Sequence, residues 1–201
     1  MHIGIIGTGR VGTALGERWI EKGHEVVYGS RTPGVGSVTH AEAAAGADVI
    51  LTALPGAAVL EALEEVGDEN LAGKVILDPS VPLRPDGKLL FPGDSLGRRI
   101  QERFPAVHVV KTLNTMNVSM MIDPDEKVAL PMVYVSGDDP EAKSTAVNLL
   151  TDLGWKADSV LDLGGVETAI GTEHCFYLFF GVVTAIRSPT FTISISMASK
   201  L

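Results

Sequence analysis

Residues 2–12 read HIGIIGTGRVG, and this stretch decides the fold. An apolar, β-rich run over 2–7 leads into a G-x-G-x-x-G pattern, which opens an amphipathic helical segment over 10–22. In that context Gly7 permits the tight turn, Gly9 lets a pyrophosphate approach the backbone, and Gly12 lets the helix pack on the strand. The free backbone N–H groups of the helix start would hold the phosphates. The pattern therefore predicts a dinucleotide site at Gly7, Thr8, Gly9, Arg10, Val11 and Gly12, with Arg10 either on a phosphate or in solvent.

The rest of the chain alternates short apolar runs with longer segments rich in Ala, Leu and Glu, which is typical of βαβ units. The spacing predicts helices over 10–22, 39–46, 56–67, 93–104 and 139–153. Strands are predicted over 2–7, 25–29, 48–54, 74–78, 107–113 and 132–136. The predicted class is α/β, a Rossmann-type doubly wound and mostly parallel sheet with a small C-terminal helix and strand extension.

The sequence pattern changes after Trp155, so we predict a nucleotide-binding domain over 1–155 and a small segment over 156–201. That segment contains a strand-like piece (158–163), a long apolar stretch (166–187) and an alternating run (190–196). Cys175–Ile186 has no polar face, which predicts burial against the first domain or another subunit. We expect the segment to pack on the acceptor site and to form a homodimer interface.

The net charge, the cysteine count and the length of the N-terminal apolar run exclude or disfavour several classes of protein. The 201 residues carry a net charge of −9, which disfavours nucleic acid and an anionic membrane surface as partners. The single Cys175 and the lack of metal-ligand spacing fit a reducing cytoplasm without a bound metal. The N-terminal apolar run stops at Gly7, too short for a leader or a membrane span. Ser199-Lys200-Leu201 matches a peroxisomal targeting signal, and the alternative is that this three-residue match arises by chance.

The end of the second strand sets the cofactor type. NAD-binding proteins place an acidic residue there, but this chain reads Tyr28-Gly29-Ser30-Arg31-Thr32. A hydroxyl followed by a guanidinium can hold a 2′-phosphate through charge-assisted hydrogen bonds. We therefore predict NADP(H), bound by Ser30, Arg31 and Thr32, with a solvated Arg31 as the alternative.

Two further loops end at the same carboxyl edge of the predicted sheet, where open α/β folds bind ligands. Leu54 and Pro55 follow the third strand and would line the middle of the cofactor. Ser80 and Val81 follow the fourth strand and would border the nicotinamide. The alternative is a pair of turns shaped by proline.

A proton donor for carbonyl reduction is hard to find in this sequence. His174 stands beside Glu173 and Cys175, but neighbouring positions on a helix do not face each other, and His108 is expected to be inert. Lys111, at the end of the fifth strand, and Asn114, which follows that strand, are the remaining candidates, and no catalytic acid is predicted. An acceptor that takes a hydride directly, such as a flavin-like ring, needs only correct stacking.

These motifs resemble the NADPH-dependent coenzyme F-420 reductase family. The resemblance rests on the glycine loop, Tyr28-Gly29-Ser30-Arg31, Leu54-Pro55, Asp78-Pro79-Ser80-Val81-Pro82, Lys111-Thr112-Leu113-Asn114-Thr115 and Ser136-Gly137-Asp138-Asp139. It implies hydride exchange between C4 of NADP(H) and C5 of a deazaflavin, in a homodimer with the C-terminal segments near the interface. It places Thr8, Gly9, Arg10, Val11, Ser30 and Arg31 on the nucleotide, with Pro55 and Val81 toward the nicotinamide.

The chain departs from archaeal members of that family on the acceptor side. Asn114 stands where they have a histidine, and Gly56 where they have an aromatic residue. The anionic tail of coenzyme F-420 would need cations, for which Arg84, Lys88, Arg98 and Arg99 are candidates, and Thr190-Phe191 could cover the acceptor ring. The same half also resembles the NADPH-binding domain of six-transmembrane ferric reductases. Alternatives are therefore a reductase of an imine, carbonyl or ferric chelate, and an NADP(H) sensor without turnover.

Overall fold

A computed structural model describes residues 1–196 and Ala198, so the Ser199-Lys200-Leu201 motif lies outside the described residues. One sheet contains seven strands in the order β2-β1-β3-β4-β5-β6-β7. The strands are β1 (His2–Ile6), β2 (Glu25–Gly29), β3 (Val49–Thr52), β4 (Val75–Asp78), β5 (His108–Thr112), β6 (Val133–Ser136) and β7 (Val160–Asp162). The β5–β6 pair is antiparallel and the other pairs are parallel.

In the described part of the chain, seven α-helices connect these strands and cover the sheet. They are α1 (Arg10–Glu21), α2 (His40–Ala45), α3 (Val59–Val66), α4 (Asp68–Leu71), α5 (Leu96–Arg103), α6 (Pro140–Asp152) and α7 (Ala169–Ile186). Two buried apolar clusters fill the molecule, one with Trp19 and Trp155 and the other with Ile50 and Ile76. Apolar clusters therefore cover both faces of the sheet, and the predicted α/β doubly wound class is confirmed.

The strand order creates the crevice that positions the site. From β1 the chain moves to β2 on one side, and β3 then pairs with β1 on the other side. Such a switch point opens a crevice at the carboxyl ends of β1 and β3, where α/β sheets bind ligands. The loops after Ile6 and Thr52 border it.

The strand-like piece expected over 158–163 contains β7, which pairs with β6 and completes the sheet. Residues 190–196 form no strand; this tail is held instead by the Tyr134 hydroxyl, which donates to the Ile193 carbonyl at 2.7 Å, and by Ser194 Oγ, which donates to the Leu130 carbonyl. In the single chain Tyr177, Leu178 and Phe180 are about half exposed, so the first domain buries the Cys175–Ile186 stretch only in part, and its burial against another subunit stays a prediction.

The stretch Val166–Ile186 is long and apolar enough to cross a membrane, judged by length and composition. Core and interface helices of other proteins pass the same test, so this helix by itself does not indicate a membrane protein.

Candidate functional site

The turn after β1 can be built only with glycine at two of its positions. Gly7 has φ +117°, and a Cβ there would lie 2.4 Å from the Ala53 carbonyl oxygen. A Cβ on Gly12 would lie 2.5 Å from the Gly7 carbonyl oxygen. These two residues therefore shape the loop by close backbone approach.

Gly9 has a different surrounding. It precedes α1 with φ −80°, and a Cβ built on it would meet no atom within 4 Å. No side chain caps α1, and its first turn contains no acidic residue. The N–H groups at a helix start have no partner within the helix and favour an anion. The loop therefore offers open space and unpaired donors of the kind that a pyrophosphate needs.

The three residues predicted at the 2′-phosphate lie beside this loop, at the end of β2. The Ser30 hydroxyl lies 3.2 Å from the Thr32 backbone nitrogen, which donates to it, and both residues border a depression of about 570 Å³ that Thr8 also lines. Arg31 is exposed, and its guanidinium forms no ion pair with any residue that the structure describes. It borders a small pocket together with Leu54 and Pro55. The cation is therefore free to meet an anionic group.

A cavity of about 530 Å³ lies between the loops that follow β1, β3, β4 and β5 and the helix α7. The predicted residues among its lining are Gly9, Arg10, Val11, Leu54, Pro55, Ser80, Val81 and Asn114. Gly56 explains how two of the loops meet, because a Cβ there would lie 2.5 Å from the Val81 carbonyl carbon. An aromatic residue at position 56 would not fit this contact.

Sequence reasoning missed the aromatic wall of the cavity. Phe176, Phe179 and Phe180 of α7 line it, with the Phe176 and Phe180 ring centroids 4.7 Å apart. Phe191 stacks on Phe179 at 5.0 Å and does not line the cavity itself. The apolar run was visible in the sequence, but its lack of periodicity concealed which rings face the site.

Asn114 enters the cavity from a strained turn. Leu113, which follows β5, has φ +61°, a conformation that leucine rarely adopts. The next residue, Asn114, lines the cavity, and its Nδ2 is buried without a hydrogen-bond partner among the described residues. Strain and an unpartnered buried donor are typical of binding positions, since a bound ligand can supply the missing acceptor.

Lys111, the other candidate, does not point into the cavity. Its side chain is fully buried, with Nζ 2.9 Å from Asp78 Oδ2 and 2.9 Å from Glu173 Oε1. Burial by itself lowers the pKa of Lys111, but the two carboxylates outweigh it, so the pKa is raised. The prediction that Lys111 could act in the cleft is therefore wrong, because the ammonium is paired and cannot reach a ligand.

The remaining titratable candidates also lie away from the reaction space. Both ring nitrogens of His174 face carbonyl oxygens, those of Ile170 at 2.8 Å and Pro92 at 3.0 Å. Burial raises the pKa of the Cys175 thiol, which disfavours a reactive thiolate. His108 begins β5, at the opposite edge of the sheet.

The predicted cation cluster is largely neutralised. Arg99 pairs with Asp94 at 2.8 Å, Arg98 with Glu102 at 2.7 Å, and Lys88 lies 3.8 Å from Asp86. None of these residues, nor Arg84, lines the central cavity. The structure therefore does not bring them together as a free cationic surface beside the site.

The fold and this site define a Rossmann-type dinucleotide-binding protein. Residues 2–82 match the family model described as NADP oxidoreductase, coenzyme F-420-dependent. A crystal structure from Arthrobacter sp. FB24, provisionally named an F-420-dependent NADP reductase, is 36% identical, with a TM-score of 0.92 over 98% of this chain and 100% of that one. The chain therefore belongs to the F-420-dependent NADP oxidoreductase family and is an NADP-dependent oxidoreductase. These two matches confirm the resemblance that its motifs indicated.

Two more distant proteins share parts of this architecture. Metalloreductase STEAP3 of Rattus norvegicus is 27% identical over 85% of this chain, which spans 35% of that protein's length. An imine reductase from Myxococcus stipitatus, solved with NADP+, is 16% identical, with a TM-score of 0.66 over 93% of this chain and 64% of that one. At that identity the likeness concerns the fold alone.

Proposed function

We propose that this protein transfers a hydride between NADP(H) and a deazaflavin of the coenzyme F-420 type, or a related flavin ring, stacked directly against the nicotinamide. One observation carries the proposal. Arg10, on the phosphate loop, is the only titratable side chain among the described residues that line the central cavity, and the opposite wall is aromatic. A carbonyl substrate needs a positioned acid, whereas a ring that accepts hydride at carbon needs orientation.

Different residues along the cavity would bind different parts of the cofactor. Thr8, Gly9, Arg10 and Val11 would hold the pyrophosphate at the start of α1, and Ser30, Arg31 and Thr32 would hold the 2′-phosphate. Leu54 and Pro55 would line the middle of the cofactor, and Ser80 and Val81 would border the nicotinamide. Asn114 would donate its unpartnered Nδ2 hydrogen to a ligand oxygen or ring nitrogen. When bound, NADPH supplies the hydride.

The reaction balances without an enzyme acid. Two electrons and one hydrogen move as hydride from C4 of the dihydronicotinamide to C5 of the deazaflavin, and one proton from solvent completes the reduced ring. The protein's part is to exclude water from the apolar cavity and to hold both rings in register. The phenyl groups of Phe176, Phe179 and Phe180 give the acceptor ring a surface to lie on.

We also propose the arrangement of the assembly. Residues 1–155 would carry the nucleotide, and 156–201 would supply the acceptor wall and a homodimer interface in the cytoplasm. The exposed apolar side chains of Tyr177, Leu178 and Ile186 on α7 support the interface, because a helix that exposes several large apolar side chains is typical of an interaction surface. The cavity wall and the interface would then share one helix.

The test is steady-state absorbance of the purified protein with NADPH and oxidised coenzyme F-420, with FMN, FAD and ferric chelates as parallel acceptors. The proposal expects bleaching of the deazaflavin or flavin band that saturates in both substrates. Reduction of ferric chelates alone would replace it with a metalloreductase activity, which the similarity to Metalloreductase STEAP3 favours as second candidate. Tight NADPH binding without turnover of any acceptor would contradict the proposal and indicate a sensor.

A further inference from the structure

One buried charged cluster joins the two walls of the cavity. We call Asp78, Lys111 and Glu173 the buried triad; their side chains are at most 1% exposed. The Lys111 ammonium contacts both carboxylates and also donates to the Ser80 carbonyl. Asp78 Oδ1 in turn accepts from Thr52 Oγ1 at 2.7 Å and from Ser80 Oγ at 2.6 Å. Every charge in the cluster therefore has a partner.

The contacts of the triad reach both sides of the cavity. On one side they hold Ser80, which lines the cavity with Val81. On the other side Glu173 lies on α7 three residues before Phe176, which lines the facing wall. Glu173 also accepts from the backbone N–H groups of Leu96 and Gly97, so the start of α5 fixes the same carboxylate.

Stability alone does not account for such a cluster. Moving charges out of water is unfavourable, and well-packed apolar residues of similar volume often stabilise a core as well as a buried ion pair does. What a fully satisfied buried network does provide is one defined arrangement of the elements that it joins. Here those elements are the β4 loop and the aromatic helix.

We propose that Lys111 is a positioning residue, which sets the spacing between the Ser80–Val81 wall and the Phe176–Phe180 wall and thereby the distance over which the hydride moves. This inference rests on the proposed function. It assigns the lysine a role although the side chain touches no ligand. A small displacement of reacting groups can slow a reaction about 100-fold, so spacing of this kind has a kinetic consequence.

The first test compares Glu173→Gln with Lys143→Met. The Gln variant removes one charge of the triad and keeps the side-chain shape, whereas Lys143 forms an ion pair with Asp162 outside the cavity. We expect Glu173→Gln to slow single-turnover hydride transfer by about 10- to 100-fold while the Kd for NADPH stays within about twofold. Lys143→Met should leave the rate unchanged. A folded Glu173→Gln variant that reacts at the wild-type rate would overturn the inference.

A second variant tests the spacing without altering charge. A Cβ on Gly97 would lie 3.3 Å from the Ala169 Cβ, so Gly97→Ala presses on the first residue of α7. We expect the same slowing of hydride transfer with an unchanged Kd for NADPH. An unchanged rate in folded Gly97→Ala would count against the inference even where Glu173→Gln fails to fold.

The fluorescence of bound NADPH provides a measurement that needs no acceptor. The nicotinamide would lie between the two walls, so a change in their spacing should alter its emission lifetime in both variants and not in Lys143→Met. An unchanged lifetime would overturn the inference. If the wild-type protein reduces no acceptor, the proposed function fails, and this measurement still decides the role of the triad.

Discussion

At the scale of single residues, Arg31 should decide between the two nicotinamide cofactors. Its guanidinium is exposed and forms no ion pair with the described part of the chain. Arg31→Ala should weaken NADPH binding by about 1.5–3 kcal/mol, the scale of a hydrogen bond to a charged group, and barely change NADH binding. Calorimetric titration of both cofactors measures this, with Arg84→Ala as a matched arginine outside the cavity. Equal losses for both cofactors would show that Arg31 does not read the 2′-phosphate.

The phosphate loop allows a paired glycine test. A Cβ on Gly9 would meet open space, whereas a Cβ on Gly12 would meet the Gly7 carbonyl oxygen at 2.5 Å. Gly9→Ala should therefore fold with an unchanged Tm and bind NADPH about tenfold more weakly, because the methyl group occupies the phosphate approach. Gly12→Ala should lower the Tm by several degrees. Thermal melts with and without NADPH separate the two effects; normal cofactor affinity in Gly9→Ala would argue against a pyrophosphate at this loop.

Single residues also show what the sequence could not reveal. The role of the turn glycines could be predicted from the sequence, because close backbone contacts at those positions admit no other residue. The role of Lys111 could not be predicted, because its partners Asp78 and Glu173 lie far away along the chain and meet it only after folding. The strain at Leu113 and the free Nδ2 of Asn114 are equally invisible in sequence.

At the scale of elements, α7 supplies the acceptor wall and offers its own test. Phe176→Ala should raise the KM for a flavin or deazaflavin acceptor about two- to tenfold, as expected for the loss of one aromatic contact of about 0.5–1.5 kcal/mol. The KM for NADPH should not change. Thr184→Ala, at an exposed position of the same helix outside the cavity lining, is the control for steady-state kinetics. An equal effect of both variants would indicate a general disturbance of α7.

Strand boundaries were predicted well where the run ends at a glycine. The strand predicted over 25–29 is β2, and that over 2–7 is β1 without its last residue. The alternating residues 190–196 form no strand. An alternating pattern forms a strand only beside a free strand edge, and this tail instead lies against Tyr134 and Leu130.

At the scale of the whole molecule, the apolar face of α7 predicts self-association. Leu178 is 54% exposed in the single chain. Leu178→Glu should shift a dimer toward monomer because it places a charge in the apolar contact. Val35→Glu, at a fully exposed apolar position, should not. Analytical ultracentrifugation over a concentration series compares them, and a wild-type protein that stays monomeric throughout would refute the dimer.

Direct hydride transfer between two stacked rings can be followed by isotope tracing. NADPH carrying deuterium at C4, prepared separately in each of its two stereochemical forms, is mixed with the protein and oxidised coenzyme F-420, and the reduced deazaflavin is analysed by mass spectrometry. We expect one of the two forms to deliver its deuterium to C5 of the ring, because the cavity would fix one face of the nicotinamide. Reduced deazaflavin without deuterium from either form, or no reduction at all, would contradict this expectation.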